Sequence, residues 1–383
     1  MNTANATTEM TLRPVPRGRF KPVNAFEHTL EEMTIWFQER GMPSFRAKQL
    51  FNWIYQRHAT NYDSITVLSA ELRAHLTDEL PLQPLEAIQE LHTDDDDTVK
   101  VLYRTPDGQT LEMVLMFYAD RATVCVSCQV GCAVGCSFCA TGLMGLQRNL
   151  SAGEMVAQVV DAARRARERG RPLTNIVMMG MGEPFHNYDN VMKMVAILND
   201  PNGMNFGSRR ITVSTSGVVP FIDRLATEPY QVNLAISIHA ANDELRSQLV
   251  PLNRRWPLDE LIASVRRYIS TTRRRVSFEY ALIAGVNDSD AHAQQLARRL
   301  HGLLAHVNII PLNPTPAFPY ERPAVERIDG FAKVLQDAGL PATVRYSRGT
   351  EIAAACGQLH VEHANRRVEP AALAGVQADI SEN

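Results

Sequence analysis

The sequence lacks any apolar run that approaches the roughly 20 residues needed for a membrane-spanning helix. Residues 1–24 also lack the apolar stretch of a secretory signal peptide. They are rich in Thr, Asn, Pro and Arg, so we expect a flexible arm. Charge of one sign is not in excess either, since the formal net charge is −3. Composition therefore favours a globular protein outside the membrane and does not by itself indicate a nucleic-acid-binding protein.

Cysteine is nearly absent outside one short segment. Five of the six cysteines lie between Cys125 and Cys139, and the sixth is Cys356. Six cysteines could form three disulfides, but disulfide scaffolds are short secreted chains, whereas this chain has 383 residues. We therefore expect free thiols and a cytoplasmic location.

The last three cysteines of the segment, Cys132, Cys136 and Cys139, have the spacing Cys-x3-Cys-x2-Cys. A loop with this spacing can place three thiolates around a cubic [4Fe-4S] cluster and leave one iron open to a small molecule. Zinc is the alternative, with Cys128 or Cys125 as a fourth ligand. Structural zinc sites usually use two closely spaced cysteine pairs, so the spacing favours the cluster and leaves zinc open.

Residues before the cysteine segment predict two smaller units. Residues 25–85 contain amphipathic patterns with a period near 3.6, which predict a small helical domain. Within residues 86–120, Thr98–Tyr103 and Gln109–Phe117 predict a β-hairpin extension. Glu112 lies in the second strand, where a carboxylate is costly unless it is paired or used.

Residues 121–350 alternate predicted strands with predicted helices. Alternation of this kind predicts an α/β fold with a parallel sheet, here a partial (β/α)6 barrel. The six predicted strands are 122–126, 175–179, 210–213, 232–238, 276–283 and 307–310. We expect a C-terminal loop over residues 351–365 and a disordered tail over residues 366–383.

Polar residues follow several of these strands, at the edge where parallel barrels place their active sites. Gly182 would let the backbone approach a ligand, and Glu183 could accept hydrogen bonds from an ammonium group. A serine, histidine or asparagine at a strand end is by itself more often a cap, but the agreement with the cysteine spacing favours a cofactor site. The other residues at these positions are Ser214, Ser237, His239 and Asn313.

The cysteine triplet, with Phe138 before its last member, resembles the signature of the radical S-adenosylmethionine (SAM) superfamily. Residues 26–360 more specifically resemble the RlmN-type adenine-C2 methyltransferases of 23S ribosomal RNA and transfer RNA. One departure is Cys128, where the family commonly has serine. The motifs that carry the resemblance are Cys125-Val126-Ser127 through Cys139, Met179-Gly180-Met181-Gly182-Glu183-Pro184, Ser214-Thr215-Ser216-Gly217-Val218-Val219-Pro220, Ile236-Ser237-Ile238-His239-Ala240 and Ala354-Ala355-Cys356-Gly357-Gln358-Leu359.

The resemblance implies a role for each site residue. Cys356 would carry the methyl group, Cys125 would be its resolving partner, and Glu112 would be the proton acceptor. The cluster ligands would be Cys132, Cys136 and Cys139. The SAM-binding residues would be Gly182, Glu183, Ser214, Ser237, Ile238, His239 and Asn313. By the same resemblance, the N-terminal helical domain would be an RNA-binding accessory domain.

The implied chemistry uses two SAM molecules per turnover. Adenine C2 is not nucleophilic, so Cys356 takes the methyl group from one SAM by displacement. A second SAM at the open iron is cleaved to a 5′-deoxyadenosyl radical, which removes a hydrogen from that methyl group. The carbon adds to C2, and an electron and the C2 proton then leave. Cys125 finally attacks the Cys356 sulfur to release methyladenine and a disulfide.

The resemblance also implies partners. The substrates would be one adenosine in the peptidyl transferase region of 23S rRNA and one next to the anticodon of tRNA. An external electron donor such as flavodoxin would serve a monomeric enzyme with no membrane partner. Two alternatives stay open: methylation at adenine C8, as in the Cfr methyltransferases, and a zinc or iron–sulfur RNA-binding module without catalysis.

Overall fold

The structure, a computed structural model, describes residues 24–82 and 84–359. The expected tail at 366–383 and nearly all of the expected arm at 1–24 lie outside these ranges. Within the described ranges, no helix combines the length and apolar character required to cross a membrane.

Three helices form the N-terminal region, and the first two pack against each other. The first is fixed by a capping box, in which the Thr29 side chain accepts from the Glu32 amide and Glu32 accepts from the Thr29 amide. The second begins at Ser44, with Pro43 at the N-cap. The helices are α1 Leu30–Glu39, α2 Ser44–Arg57 and α3 Ala70–Glu79.

An antiparallel extension follows, with strands β1 Glu86–His92, β2 Thr98–Arg104 and β3 Thr110–Phe117. The predicted hairpin is β2–β3, which pairs in register from Thr98 opposite Met116 to Arg104 opposite Thr110. Strand β1 was not predicted, because it is exposed along most of its length and shows no apolar alternation. Strand β3 pairs with the first barrel strand, so the extension and the barrel share one sheet.

The barrel is built from parallel strands in the order in which they occur along the chain. Between the first and second barrel strands lies the cysteine segment, with a two-stranded ribbon and one short helix. These elements are β4 Ala122–Cys125, β5 Gln129–Gly131, α4 Ala140–Leu143 and β6 Leu146–Asn149. The remaining strands are β7 Leu173–Met178, β8 Ile211–Thr215, β9 Asn233–Ser237, β10 Val276–Leu282, β11 Ala305–Pro311 and β12 Ala342–Val344.

Helices connect the barrel strands. The first long helix after the cysteine segment begins with a capping box, in which Ser151 and Glu154 form both reciprocal hydrogen bonds. The partial barrel is confirmed: β4 and β7–β11 are six parallel strands, and β12 adds a short seventh. The helices are α5 Ala152–Glu168, α6 Tyr188–Asn199, α7 Val219–Leu225, α8 Asp243–Leu249, α9 Leu258–Thr272, α10 Asp290–Leu300 and α11 Val325–Asp337.

The two faces of the barrel strands differ in chemistry, as β10 shows. Phe278 and Tyr280 are buried in the apolar core, and the Tyr280 ring lies 5.1 Å from that of Phe331 on α11. Glu279 and Ala281, on the alternate face, line a pocket inside the barrel. Strand alternation thus gives the barrel an apolar outer layer and a lumen that can carry polar groups.

Candidate active site at the carboxyl ends of the barrel strands

One pocket collects most of the predicted site residues. It has a volume of about 160 Å³ and lies at the carboxyl ends of the strands. Ile238 is fully buried, and Cys125 and Glu112 are buried behind the pocket rather than among its lining residues. The predicted residues that line it are Cys132, Cys136, Cys139, Gly182, Glu183, Ser214, Ser237, His239, Asn313 and Cys356.

Hydrogen bonds to Ser127 fix the backbone of the cysteine segment just after strand β4. The Gln158 side chain accepts from the Ser127 amide at 2.9 Å and donates to the Ser127 carbonyl at 3.0 Å. The Ser127 hydroxyl donates to the Glu112 carbonyl at 2.6 Å and accepts from the Met181 amide at 2.9 Å. These bonds join β3, α5 and the loop after β7, so the segment that carries the thiols starts from a fixed point.

The three predicted cluster ligands lie close enough to influence one another. Burial, with the nearby Glu183 and Cys139, raises the pKa of Cys132 to about 12. Burial and the neighbouring thiols Cys139 and Cys132 also raise the pKa of Cys136. Buried thiolates this close together need a compensating cation, which the irons of a cluster supply.

The residues therefore fit a [4Fe-4S] cluster. No three His, Cys, Asp or Glu side chains in the described ranges lie close enough to bind one metal ion. A cubane does not require that arrangement, because each thiolate binds a different iron. Three thiols grouped at one end of the pocket are the donor set that such a cluster takes.

The loop after β7 approaches the cysteine segment closely at Gly182. Its φ is +107°, and a Cβ there would lie 2.6 Å from Gln129 Cβ and 2.9 Å from Cys128 Sγ. Both facts exclude a side chain at this position. Gly182 therefore lets the backbone approach Gln129 and Cys128, and its predicted approach to a ligand stays a prediction.

Glu183 joins two loops at the pocket wall. Its carboxylate accepts from the Phe185 amide at 3.0 Å and the Ser216 amide at 2.7 Å. Its own amide donates to Gln129 Oε1 at 2.8 Å. A carboxylate has about four acceptor positions, so Glu183 can hold both loops and still accept from a ligand.

Ser214, Ser237 and His239 form the neighbouring wall. The two serine hydroxyls lie 3.4 Å apart. The His239 ring accepts from the Ala281 amide through Nδ1 at 2.9 Å, which leaves the ring proton on Nε2. Burial and the charge of Arg246 lower the pKa of His239 to about 3, so the ring is neutral near pH 7.

Arg246 on α8 supports this wall from behind, and its sequence context gave no signal of that role. Its guanidinium donates to the carbonyls of Ser216 at 2.6 Å, Ser237 at 3.2 Å and Ile238 at 3.0 Å. The side chain is fully buried, and burial lowers its pKa to about 10. One arginine thus fixes the loops that present Ser214, Ser237 and His239.

The C-terminal segment, residues 345–359, folds back across the barrel mouth. Asn313 Nδ2 donates to the Cys356 carbonyl at 3.2 Å. The Ala140 amide donates to the Gly357 carbonyl at 2.8 Å, and Thr141 Oγ1 donates to the Leu359 carbonyl at 2.7 Å. These bonds hold the methyl-carrier candidate beside the cysteine segment, although more than 200 residues separate the two in sequence.

The C-terminal segment also reaches the antiparallel extension. Lys100 Nζ donates to the Ala353 carbonyl at 3.2 Å, and Arg348 donates to the Phe117 carbonyl at 3.0 Å. Lys100 Nζ also lies 2.9 Å from Glu112 Oε1, in an ion pair of two buried side chains. The carboxylate in the second hairpin strand is therefore paired, and its partner touches the segment that carries Cys356.

Cys125 and Cys356, the cysteines to which the resemblance gives the resolving and methyl-carrying roles, approach each other across the barrel mouth. The side chain of Cys356 is accessible to solvent, while that of Cys125 is buried. Burial raises the pKa of Cys125, and the nearby Cys356 raises it further. Desolvation of the thiol against the pocket raises the pKa of Cys356 as well, and Arg345 opposes that shift. All six cysteines are free thiols in this structure.

Comparisons with known proteins agree on this combination of cluster segment and barrel. The radical SAM superfamily model matches residues 126–297, and the ribosomal RNA large subunit methyltransferase N-terminal domain matches residues 23–81. The probable dual-specificity RNA methyltransferase RlmN of Chloroflexus aurantiacus is 49% identical over 349 residues, which are 88% of this chain and 93% of that one. This chain belongs to the RlmN family of radical SAM methyltransferases.

Other relatives extend the agreement. The probable RlmN of Symbiobacterium thermophilum is 49% identical over 332 residues, which cover 86% of this chain and 89% of that protein. The crystal structure of a radical SAM methyltransferase from Sphaerobacter thermophilus superposes with a TM-score of 0.88 at 66% identity. It covers 88% of this chain and 99% of its own. The radical SAM fold, the [4Fe-4S] cluster and SAM are thereby shown for this RlmN-type enzyme.

We expect the Cys128→Ser variant of this RlmN-type chain to keep its cluster. Cys128 Sγ packs against the Gly182 backbone, and the residue is absent from the pocket lining. The variant should bind close to four irons per chain, measured by iron assay and cluster absorbance after reconstitution. Cys136→Ser is the matched control, because it removes a proposed ligand and should lose the cluster. Loss of iron in Cys128→Ser would contradict the ligand assignment.

Proposed function

We propose that this enzyme methylates C2 of one adenosine in 23S rRNA and of the adenosine next to the tRNA anticodon. The supporting observation is the placement of Cys356 in one pocket with Cys132, Cys136 and Cys139, with Cys125 close behind it. A thiol at this position can receive a methyl group and present it toward a base at the pocket mouth. The family resemblance supports the choice of C2, of the two RNAs and of two SAM per turnover.

Cys356 acts first as the nucleophile in this proposal. Its thiolate attacks the methyl carbon of SAM, so the new sulfur–carbon bond forms as the sulfonium bond breaks. Exposure of the side chain at the mouth gives SAM and then RNA access to it. Cys132, Cys136 and Cys139 would hold the cluster, which would supply an electron to the second SAM, with an external donor such as flavodoxin as the source of reducing electrons.

Cys125 acts last, after the methylene carbon on Cys356 has joined C2 and the resulting radical has lost the C2 proton and one electron, which the cluster would take up. Its sulfur attacks the Cys356 sulfur, so a disulfide forms and the sulfur–methylene bond breaks. The bonding pair moves to the methylene carbon, which takes a proton and becomes the methyl group. A disulfide needs the two Cα atoms within about 7 Å, so the C-terminal segment has to bring Cys356 to that distance from Cys125 during turnover.

Glu112 is the proposed acceptor of the C2 proton. Its Oε1 lies 2.9 Å from Lys100 Nζ, and a carboxylate is a group that can take up a proton. Because Glu112 lies behind the pocket lining, we propose that it receives this proton through an intervening group. The SAM roles of Gly182, Glu183, Ser214, Ser237, Ile238, His239 and Asn313 are part of the same proposal.

The N-terminal helices are the proposed accessory RNA-binding domain. Phe45 and Lys48 on α2 are exposed, whereas Arg46 donates to Gln49 and to the Val67 carbonyl. An exposed aromatic ring beside a cation suits contact with RNA. We propose a monomer in the cytoplasm, where a reducing environment keeps the thiols free.

The test is product identification. Reconstituted enzyme, SAM and a reductant are incubated with 23S rRNA fragments or tRNA, and the digested nucleosides are identified by mass spectrometry. 2-Methyladenosine is expected from both RNAs. A product methylated at C8 would overturn the choice of carbon, and product from one RNA alone would overturn dual specificity.

Glu183→Gln tests the SAM site. The substitution removes the charge that would bind the SAM ammonium and disturbs one of two backbone hydrogen bonds. We expect SAM affinity to fall by about tenfold to a hundredfold, the equivalent of a charge-assisted hydrogen bond of roughly 1.5–3 kcal/mol. Equilibrium dialysis measures the affinity, and cluster absorbance should stay at the wild-type level. Wild-type affinity in the variant would refute the proposed contact.

A further inference from the structure

Glu279 is a buried carboxyl group in the pocket to which none of the roles above is assigned. It is 3% exposed, lies on β10 and lines the pocket. Oε1 accepts from Asn308 Nδ2 at 2.8 Å, while Oε2 is buried with no hydrogen-bond partner among the described residues. Buried polar atoms without a partner are rare and costly, so Oε2 indicates a group that arrives with a ligand.

The position of Glu279 places that ligand group deep in the pocket. Glu279 pairs in register with Ser237 on β9 and with Asn308 on β11. Ala281, two residues closer to the mouth on the same strand face, lines the same pocket. Cys356 lines the same pocket, and Glu279 is near enough that its ionised form would raise the pKa of the Cys356 thiol.

The surroundings of Glu279 favour its neutral form. Burial raises its pKa, and this effect outweighs the opposing influence of Asn308 and Arg345. Because Oε1 already accepts from Asn308, the proton belongs on Oε2. A carboxylic acid kept neutral by an apolar site can serve as a hydrogen-bond donor.

A base that enters the pocket from RNA has a fixed orientation, because its ribose stays outside with the strand. The edge farthest from the glycosidic bond goes deepest, and in adenine this edge carries N1, C2 and the C6 amine. Flipped bases are commonly read at this edge. A neutral carboxyl group matches it, since one oxygen donates and the other accepts.

We propose that Glu279 reads the target adenine, with Oε2–H donating to N1 and Oε1 accepting from the C6 amine. This inference rests on the proposed function and adds the residue that selects the base. Guanine presents a donor at N1 and an acceptor at C6, so both contacts would be repulsive. The contact also holds C2, which is bonded to N1, opposite Cys356. In addition, the N1 hydrogen bond withdraws electron density from the ring without transferring a proton.

Two substitutions distinguish a neutral carboxyl group that hydrogen-bonds adenine from a carboxylate anion at Glu279. Glu279→Gln keeps one donor and one acceptor in the same shape, whereas Glu279→Leu removes both. With a tRNA anticodon stem-loop as substrate, we expect Gln to retain 2-methyladenosine formation within about tenfold of wild type. Glu279→Leu should lower 2-methyladenosine formation by at least about a hundredfold. An active site built to hydrogen-bond its substrate loses activity on that scale when the hydrogen bond cannot form.

A modified substrate tests the contact without changing the protein. The stem-loop carries 1-deazaadenosine at the target position, which replaces N1 by a carbon. Wild-type enzyme should lose most of its activity on this RNA. The activity of Glu279→Leu should fall little further on it, because that variant already lacks the N1 hydrogen bond. Additive losses, or full activity of wild-type enzyme on 1-deazaadenosine, would overturn the proposal.

A second readout keeps this test apart from the proposed function. Methylation of Cys356 by SAM without RNA, measured by protein mass, should be the same in wild type, Glu279→Gln and Glu279→Leu. Wild-type protein without that methyl group would contradict the methyl-carrier role of Cys356 instead. The other contradicting result is normal Cys356 methylation in both variants with RNA methylation as low in Glu279→Gln as in Glu279→Leu. It would show that Glu279 acts as an anion and would overturn its role as a donor.

Discussion

The Cys125→Ala variant is expected to accumulate a covalent protein–RNA adduct. Cys356 can still be methylated and can still deliver its carbon to adenine, because neither step uses Cys125. The bond between Cys356 and the base then persists, since no second thiol attacks the sulfur. Cys128, the next buried thiol along the segment, packs against Gly182 and lies outside the pocket lining, so it does not substitute.

A denaturing gel of Cys125→Ala expressed with its cellular RNA measures the adduct. A slowly migrating band that disappears after nuclease treatment is expected, together with loss of 2-methyladenosine turnover. Cys125→Ala combined with Cys356→Ala should give no such band, although cluster absorbance should be unchanged in both variants. Full turnover without an adduct in Cys125→Ala would remove Cys125 from the mechanism.

Lys100→Met is expected to affect both stability and activity. The substitution takes away the cation 2.9 Å from the buried Glu112 carboxylate and the donor to the Ala353 carbonyl. Removing one partner of a buried ion pair costs about 3–5 kcal/mol. The C-terminal segment loses one of its hydrogen bonds to the extension, so Cys356 should be less well positioned and turnover should fall about tenfold or more.

The double variant Lys100→Met with Glu112→Gln is the matched control for stability. Neutralising both side chains should recover most of the unfolding free energy, measured by urea denaturation of the apoprotein. Its activity should stay low, because the donor to Ala353 is still missing and Glu112, the proposed proton acceptor, has been replaced. If Lys100→Met alone unfolds at the wild-type urea concentration, the ion pair does not stabilise the fold.

The sequence predicted the barrel and the members of the pocket for one physical reason. Parallel strands bring their carboxyl ends to one edge, so residues such as Ser214 and Ser237 meet although 23 positions separate them. The cysteine spacing is local, and the capping box of α5 lies within four residues. Patterns of this range can be read without knowledge of the tertiary structure.

Contacts that depend on the final arrangement of loops were not predictable. Arg246 resembles any helix-surface arginine in sequence, and its role follows only from where the carbonyls of Ser216 and Ser237 lie. Strand β1 is polar and mostly exposed, so its pairing with β2 left no hydrophobic signature. Asn313 was predicted to bind SAM, and its bond to the Cys356 carbonyl required the position of the C-terminal segment.

The hydrogen bond from Lys100 to Ala353 joins residues that lie 253 positions apart in the sequence, and this separation affects how the enzyme matures. Contacts of such long range form late in folding, because closing a large loop costs entropy before the contact is gained. During synthesis, the cysteine segment and most of the barrel leave the ribosome well before Cys356. We therefore expect a nascent chain to present an uncovered cluster site, which iron–sulfur assembly can reach before the last segment docks over the mouth.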